Sequence, residues 1–120
     1  MIEGLGGKKE LEGPEVDREV NKIRKIHDSA TFLRGCVRAR PQMRDPERQR
    51  DQEKFEENLN FLRRQIKDEK SQEEAEKNVE TISKRWEDPS TVSYEEAMDA
   101  VDRLEKMAIE EFFEKNENQN

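Results

Sequence analysis

The stretch that decides the fold is residues 45–90, DPERQRDQEKFEENLNFLRRQIKDEKSQEEAEKNVETISKRWEDPS. Its opening Asp-Pro-Glu is a helix-start signal, because Asp is a favourable N-cap residue and Pro tolerates the first helical position. No glycine or proline follows until Pro89. Apolar residues recur at three- and four-residue steps, the period of an amphipathic helix. We therefore predict helical structure over residues 46–87.

The apolar residues of this stretch form two stripes, Phe55, Leu59, Leu62 and Ile66 followed by Ala75, Val79, Ile82 and Trp86. Residues 67–74 between them contain no apolar side chain. In one interpretation, residues 46–87 form a single helix about 63 Å long at ~1.5 Å per residue. In the other, the chain breaks near 68–71 and Ser71 opens a new helix through a capping box with Glu74. We favour the continuous helix, because the interval holds no Gly, Pro or Asn.

Two further helices flank this stretch. Gly-Pro-Glu at 13–15 is a second start signal, and an apolar stripe follows until Pro41 ends the pattern, which predicts a helix over residues 14–39. Ser93 and Glu96 are spaced as a capping box that leads into a broad apolar stripe. This pattern predicts a helix over residues 93–115.

The fold class that follows is all-α, with three helices, or four if the central stretch breaks. No segment alternates between apolar and polar residues as a half-buried strand does. Short connections favour antiparallel neighbours, so we expect an antiparallel hairpin or small bundle with a long central helix. The Gly-rich residues 1–13 are interpreted as a flexible tail, residues 14–115 as one helical domain, and residues 116–120 as a frayed end.

Composition restricts the class of protein. Of 120 residues, 44% are charged and only 30% are hydrophobic. No stretch has the ~20 apolar residues of a membrane helix. The single Cys excludes an internal disulfide framework, and the N-terminal residues do not resemble a signal peptide, so we expect a cytoplasmic protein. So few apolar side chains leave three alternatives: the ends of the chain stay disordered, the helices are largely solvated, or a partner completes part of the apolar surface.

Charge is unevenly distributed along the chain. Residues 18–50 carry ten basic and four acidic residues, whereas residues 51–120 carry eleven basic and twenty-one acidic ones. The basic segment contains a set of arginines suited to carboxylate or phosphate: Arg34, Arg38, Arg40, Arg44 and Arg48. They are candidate contacts for an anion or an acidic surface. The alternative is that they balance the acidic half of the chain.

Residues suited to catalysis are few. His27 is the only imidazole and Cys36 the only thiol. Nearby Arg34 and Arg38 could lower the pKa of Cys36, but His27 lies nine residues away on the opposite helix face, so we interpret Cys36 as an ordinary thiol and not a nucleophile. No Glu-x-x-His motif or phosphate-binding glycine loop is present. We therefore expect no catalytic, metal or cofactor site, and no enzyme.

Four aromatic residues are candidate partner anchors, with core packing as the alternative for each: Phe61, Trp86, Phe112 and Phe113. The leading hypothesis is a non-catalytic protein-interaction module, such as an adaptor, regulator or inhibitor subunit. Its partner is another protein or a second copy, with a dimer favoured, and not a membrane. The runner-up is a nucleic-acid-associated protein that contacts phosphate through residues 34–50. A third hypothesis is an acidic helical surface that competes with nucleic acid for a basic protein.

Overall fold

The computed structural model describes the backbone of residues 14–118 and the side chains of residues 18–114. Secondary structure over the described backbone is helical, which confirms the all-α prediction. The predicted tail at residues 1–13 lies outside the described part of the chain. The elements are α1 (Pro14–Ala39), a 3-10 turn (Arg40–Gln42), α2 (Asp45–Gln65), α3 (Glu69–Glu87) and α4 (Tyr94–Asn118).

The outer helices follow their sequence signals. The bounds of α1 are those predicted, and α4 begins one residue after the predicted start. The capping box forms as expected: the Glu96 amide donates to Ser93 Oγ at 3.0 Å, and the Ser93 amide donates to Glu96 Oε1 at 3.3 Å. The backbone of α4 continues to Asn118, beyond the predicted end at 115. Residues 119–120 of the predicted frayed end lie outside the described residues.

The favoured prediction of one continuous helix over residues 46–87 is wrong. α2 ends at Gln65, and residues 66–68 connect it to α3. Ile66 and Asp68, which flank the break, both adopt extended backbone conformations. The alternative, a chain broken into two helices, is the one observed, but the capping box that it placed at Ser71 does not open the second helix. α3 begins earlier, at Glu69, and the Ser71 hydroxyl donates to the Asp68 carboxylate at 3.1 Å.

The physical reason for the break comes from α4. The carboxylate of Glu111 accepts hydrogen bonds from the backbone amides of Lys67 at 2.5 Å and Asp68 at 3.1 Å. A carboxylate at the start of α3 also suits the positive end of that helix dipole. The turn brings both apolar stripes to one core, so that Leu62 and Ile82 are each completely buried.

Replacing Glu111 with alanine should lower the free energy of unfolding by roughly 1.5–3 kcal/mol, the usual range for hydrogen bonds to a charged group. The two amides at the start of α3 would lose their acceptor. Urea unfolding followed by circular dichroism measures the loss, and the exposed Glu114, three residues further along α4, gives a matched control, Glu114→Ala. Equal stability of the two variants would show that Glu111 does not hold the break.

Side-chain contacts give the direction of the helices. Contacts between α1 and α4 join later residues of α1 to earlier residues of α4. The pairs are Lys22 with Phe112, His27 with Glu105, and Arg34 with Asp102. Between α1 and α2 the order is again reversed: Lys25 with Phe61 and Phe32 with Lys54. Each of these pairs of helices therefore runs in opposite directions. None of the helices within residues 14–118 combines the length and apolar character needed to cross a bilayer.

Candidate functional site

Trp86, one of the four predicted partner anchors, is a core residue. Its ring stacks on Phe55 with 4.5 Å between ring centroids and 8° between planes. Its indole Nε1–H donates to Gln52 Oε1 at 2.6 Å. Only 2% of Trp86 is exposed, so it presents no surface to a partner.

Phe61 is half-buried between α1 and α2. The ammonium nitrogen of Lys25 lies 4.6 Å from the centroid of its ring, within the range of a cation–π interaction. One edge of the ring lines a shallow cleft between the two helices. Because it is half-buried and a cation of the same chain covers it, Phe61 is a weaker candidate anchor than an exposed aromatic side chain.

Phe112 and Phe113 point in different directions from α4. Phe112 is half-buried, with the ammonium nitrogen of Lys22 5.9 Å from its ring centroid. The two phenylalanine rings meet edge to face, 5.7 Å apart with 74° between planes. Phe113 is 51% exposed, the largest exposed fraction among the large apolar side chains that the structure describes. Of the predicted anchors, Phe113 is therefore the one that faces solvent.

Phe113 belongs to an apolar strip where α1 and α4 meet at the surface. The hydrogen bond between His27 Nδ1 and Glu105 Oε2, 2.9 Å long, marks this line of contact. Residues one or two helical turns apart share a helix face. On α1, Ile23 and Val20 lie four and seven residues before His27 and continue this line. On α4, Ile109 and Phe113 lie four and eight residues after Glu105 and continue it in the same direction. We call this set the α1–α4 seam: Val20, Ile23, Ile109 and Phe113.

The arginine set does not form one continuous surface. Arg34 pairs with Asp102 at 2.9 Å and with Glu105, and Arg48 is half-buried with its Nη1 3.5 Å from Gln52 Oε1. Arg40 is buried and donates to the carbonyls of Trp86 and Glu87, at the C-terminal end of α3. The two that remain exposed are Arg38 and Arg44.

Cys36 is an unreactive thiol, and the nearby arginines do not lower its pKa. The side chain lies in the core, 5% exposed. Burial raises the pKa of the Cys36 thiol to about 12, and the negative charge of Asp51 acts in the same direction. A thiol with such a pKa is neither a nucleophile nor a metal ligand at neutral pH.

Cys36 in the folded protein should therefore react with a thiol-specific reagent at pH 8 at least a hundredfold more slowly than in urea, where thiolate is far more abundant. The folded-state pKa lies above the unfolded value, so the same burial favours folding below pH 9 and that contribution is lost as pH rises toward 12. Labelling followed by mass spectrometry measures the rates. Similar rates in the two conditions would contradict the burial of this thiol.

Sequence reasoning missed the exposure of Val20, because it belongs to an apolar stripe that also fits a core. Ile23 and Ile109, the other members of the seam, are half-buried. The one available signal was the adjacent pair Phe112-Phe113, which cannot both be buried unless α4 is covered over a wide face. Among the described residues, no group of three or more His, Cys, Asp or Glu side chains could hold a metal ion. The described residues therefore offer no metal site as an alternative to an apolar binding surface.

No family model, no curated protein and no solved structure matches this chain. Any proposal about function therefore depends on the surface of the molecule, and above all on the α1–α4 seam.

Proposed function

We propose that this protein is a non-catalytic helical interaction module, acting as a small adaptor, regulator or inhibitor subunit. In this proposal the four helices act together as one small antiparallel bundle, and the α1–α4 seam binds a protein partner. The observation that carries the proposal is the exposure of two large apolar side chains on one seam, 48% for Val20 and 51% for Phe113.

The seam is what remains after the chain has built its own core. The two stripes of the central stretch supply most of their apolar residues to that core, among them Leu59, Leu62 and Ile82. Burying a phenylalanine side chain stabilises a protein by roughly 1.5–3 kcal/mol. Phe113 gains only part of this stabilisation in the isolated chain, because about half of its surface is exposed. A partner that covers the seam would recover this contribution, as aromatic anchors do at the centres of protein interfaces.

The charge distribution favours a protein over a nucleic acid as the partner. With only Arg38 and Arg44 exposed, the predicted arginine set offers far fewer than the ~6–10 phosphate contacts that strong DNA binders make. The net charge of −7 also opposes approach to a polyanion. These two side chains are better suited to steering an acidic patch of a protein toward the module.

Affinity capture from an extract of the source cells tests this proposal. We expect the wild-type chain to retain a protein that is equally abundant with and without nuclease treatment. Phe113→Ser should lose it. Tyr94→Ser removes an exposed aromatic from the other end of the same helix and should retain it. Capture that nuclease abolishes, or that Phe113→Ser leaves unchanged, would refute binding of a protein through the seam.

A further inference from the structure

Four exposed charged side chains flank the α1–α4 seam. Arg24 and Asp28 lie one turn apart on α1, and Lys106 and Glu110 lie one turn apart on α4. None of the four takes part in an ion pair with another described side chain. Each helix therefore presents one cation and one anion beside the apolar strip, without a partner among the described side chains.

The four charges alternate in sign around the seam. α1 and α4 run in opposite directions, and the contacts of Lys22 with Phe112 and of His27 with Glu105 set their register to within about two residues, or ~3 Å. In that register, positions two and six residues beyond Lys22 on α1 lie close to the levels of Glu110 and Lys106. Arg24 is thus nearly level with Glu110, and Asp28 nearly level with Lys106. At each level one helix carries a positive charge and the other a negative charge.

We propose that the occupant of the seam is a second copy of this chain, related by a two-fold axis parallel to α1 and α4. Such an axis keeps every residue at its own level and exchanges the two helices, so that α1 of one copy lies over α4 of the other. This inference rests on the proposed function, since it requires the seam to be a binding surface.

Every level of the seam then meets a complementary side chain. Val20 faces Phe113 of the second copy, and Ile23 faces Ile109, so apolar residues meet apolar residues. In the same arrangement the charged side chains meet their opposites: Arg24 faces Glu110 of the second copy and Asp28 faces Lys106. The pattern is complementary to itself, which is the condition that an isologous dimer interface must satisfy.

A partner of uniform charge would match only half of this pattern and would bring like charges together at the other half. The seam with its flanking charges comprises only eight residues, against roughly 20–30 residues a side in a standard interface. The self-association that we propose is therefore weak and reversible, with a dissociation constant in the micromolar range or above, and it requires a measurement made over a wide range of concentration.

Sedimentation equilibrium of the purified full chain, from about 10 µM to about 1 mM, tests the proposal. The apparent mass should rise with concentration from the monomer value of 14.3 kDa toward twice that value. Arg24→Glu and Glu110→Arg should each weaken association at least tenfold, because symmetry makes each change count twice. The double variant R24E/E110R should restore it, since the two new charges again meet their opposites. Phe113→Ser should stay monomeric, and Tyr94→Ser should associate like the wild type.

Three outcomes would each overturn the second copy as partner. The first is a monomer at every concentration. The second is an association that Phe113→Ser leaves intact, and the third is a double variant that fails to restore association. If the chain stays monomeric but captures another protein in a Phe113-dependent manner, the proposed function stands and only the identity of the partner is wrong. If both self-association and Phe113-dependent capture are absent, both proposals fail.

Discussion

Replacing Trp86 with alanine should lower the free energy of unfolding by about 3–5 kcal/mol, the range observed when large buried aromatics are truncated. The indole is the largest completely buried side chain of the described core. Its loss would open a cavity beside Phe55 and leave Gln52 without the indole donor. Since small domains have only about 5–15 kcal/mol of total stability, a large part of the folded population would be lost. Urea unfolding followed by far-UV circular dichroism measures this effect.

Two control variants separate the parts of the Trp86 effect. Trp86→Phe keeps an aromatic ring to stack on Phe55 but removes the indole N–H, and should cost less than the alanine variant. Tyr94→Ala removes an exposed ring and should change stability by less than about 0.5 kcal/mol. A Trp86→Ala protein as stable as Tyr94→Ala would contradict the position of this residue in the core.

Replacing Arg40 with alanine should lower the free energy of unfolding by roughly 2–4 kcal/mol, since a charged donor is lost and two acceptors are left unpaired. Its guanidinium donates to the carbonyl of Trp86 and, at 3.2 Å, to that of Glu87. These are among the last carbonyls of α3, which no helical amide can bond, and a cation there also suits the negative end of the helix dipole.

The matched control for this prediction is Arg38→Ala, because Arg38 is an exposed arginine two positions away. Its removal should leave stability within about 0.5 kcal/mol of the wild type. Arg40→Lys keeps the charge but not the planar fork, and should recover only part of the loss. If the variants at positions 38 and 40 are equally stable, Arg40 does not cap α3.

Local sequence signals predicted the parts of the fold that local interactions determine. Pro14 begins α1, because proline tolerates the first helical position. Two residues before Pro41, which disfavours α-helical backbone at the residue preceding it, the α-helix ends at Ala39 and gives way to the 3-10 turn Arg40–Gln42. Ser93 and Glu96 satisfy each other's backbone amides within a single turn, and so the start of α4 could be read directly. In each of these cases the two interacting groups lie within a few residues of each other.

The break between α2 and α3 could not be predicted in this way. Residues 67–74 contain neither Gly nor Pro, and the carboxylate that binds the amides of Lys67 and Asp68 belongs to Glu111, more than forty residues later. Without that distant acceptor, the local pattern favours a continuous helix. The hydrogen bonds from the amides of Lys67 and Asp68 to Glu111 decide between a continuous helix and a broken one.

The candidate site shows the same limit. Arg34 and Arg40 look alike in sequence to the exposed Arg38, yet their acceptors lie on α4 and at the end of α3. Trp86 and Phe113 both close apolar stripes, and only the packing of the helices places the first in the core and the second at the surface. The sequence identifies the candidate residues, but only the tertiary structure shows which of them are buried and which are exposed.

Site-specific photo-crosslinking in the native cells tests the central claim most directly, namely that a protein binds at the α1–α4 seam. A photoreactive phenylalanine analogue would replace Phe113 in one variant and the exposed Glu80 of α3 in the control. We predict a cross-linked protein product, either a second copy or another chain, from position 113 and none from position 80. The absence of any product from position 113, or equal products from both positions, would contradict the account.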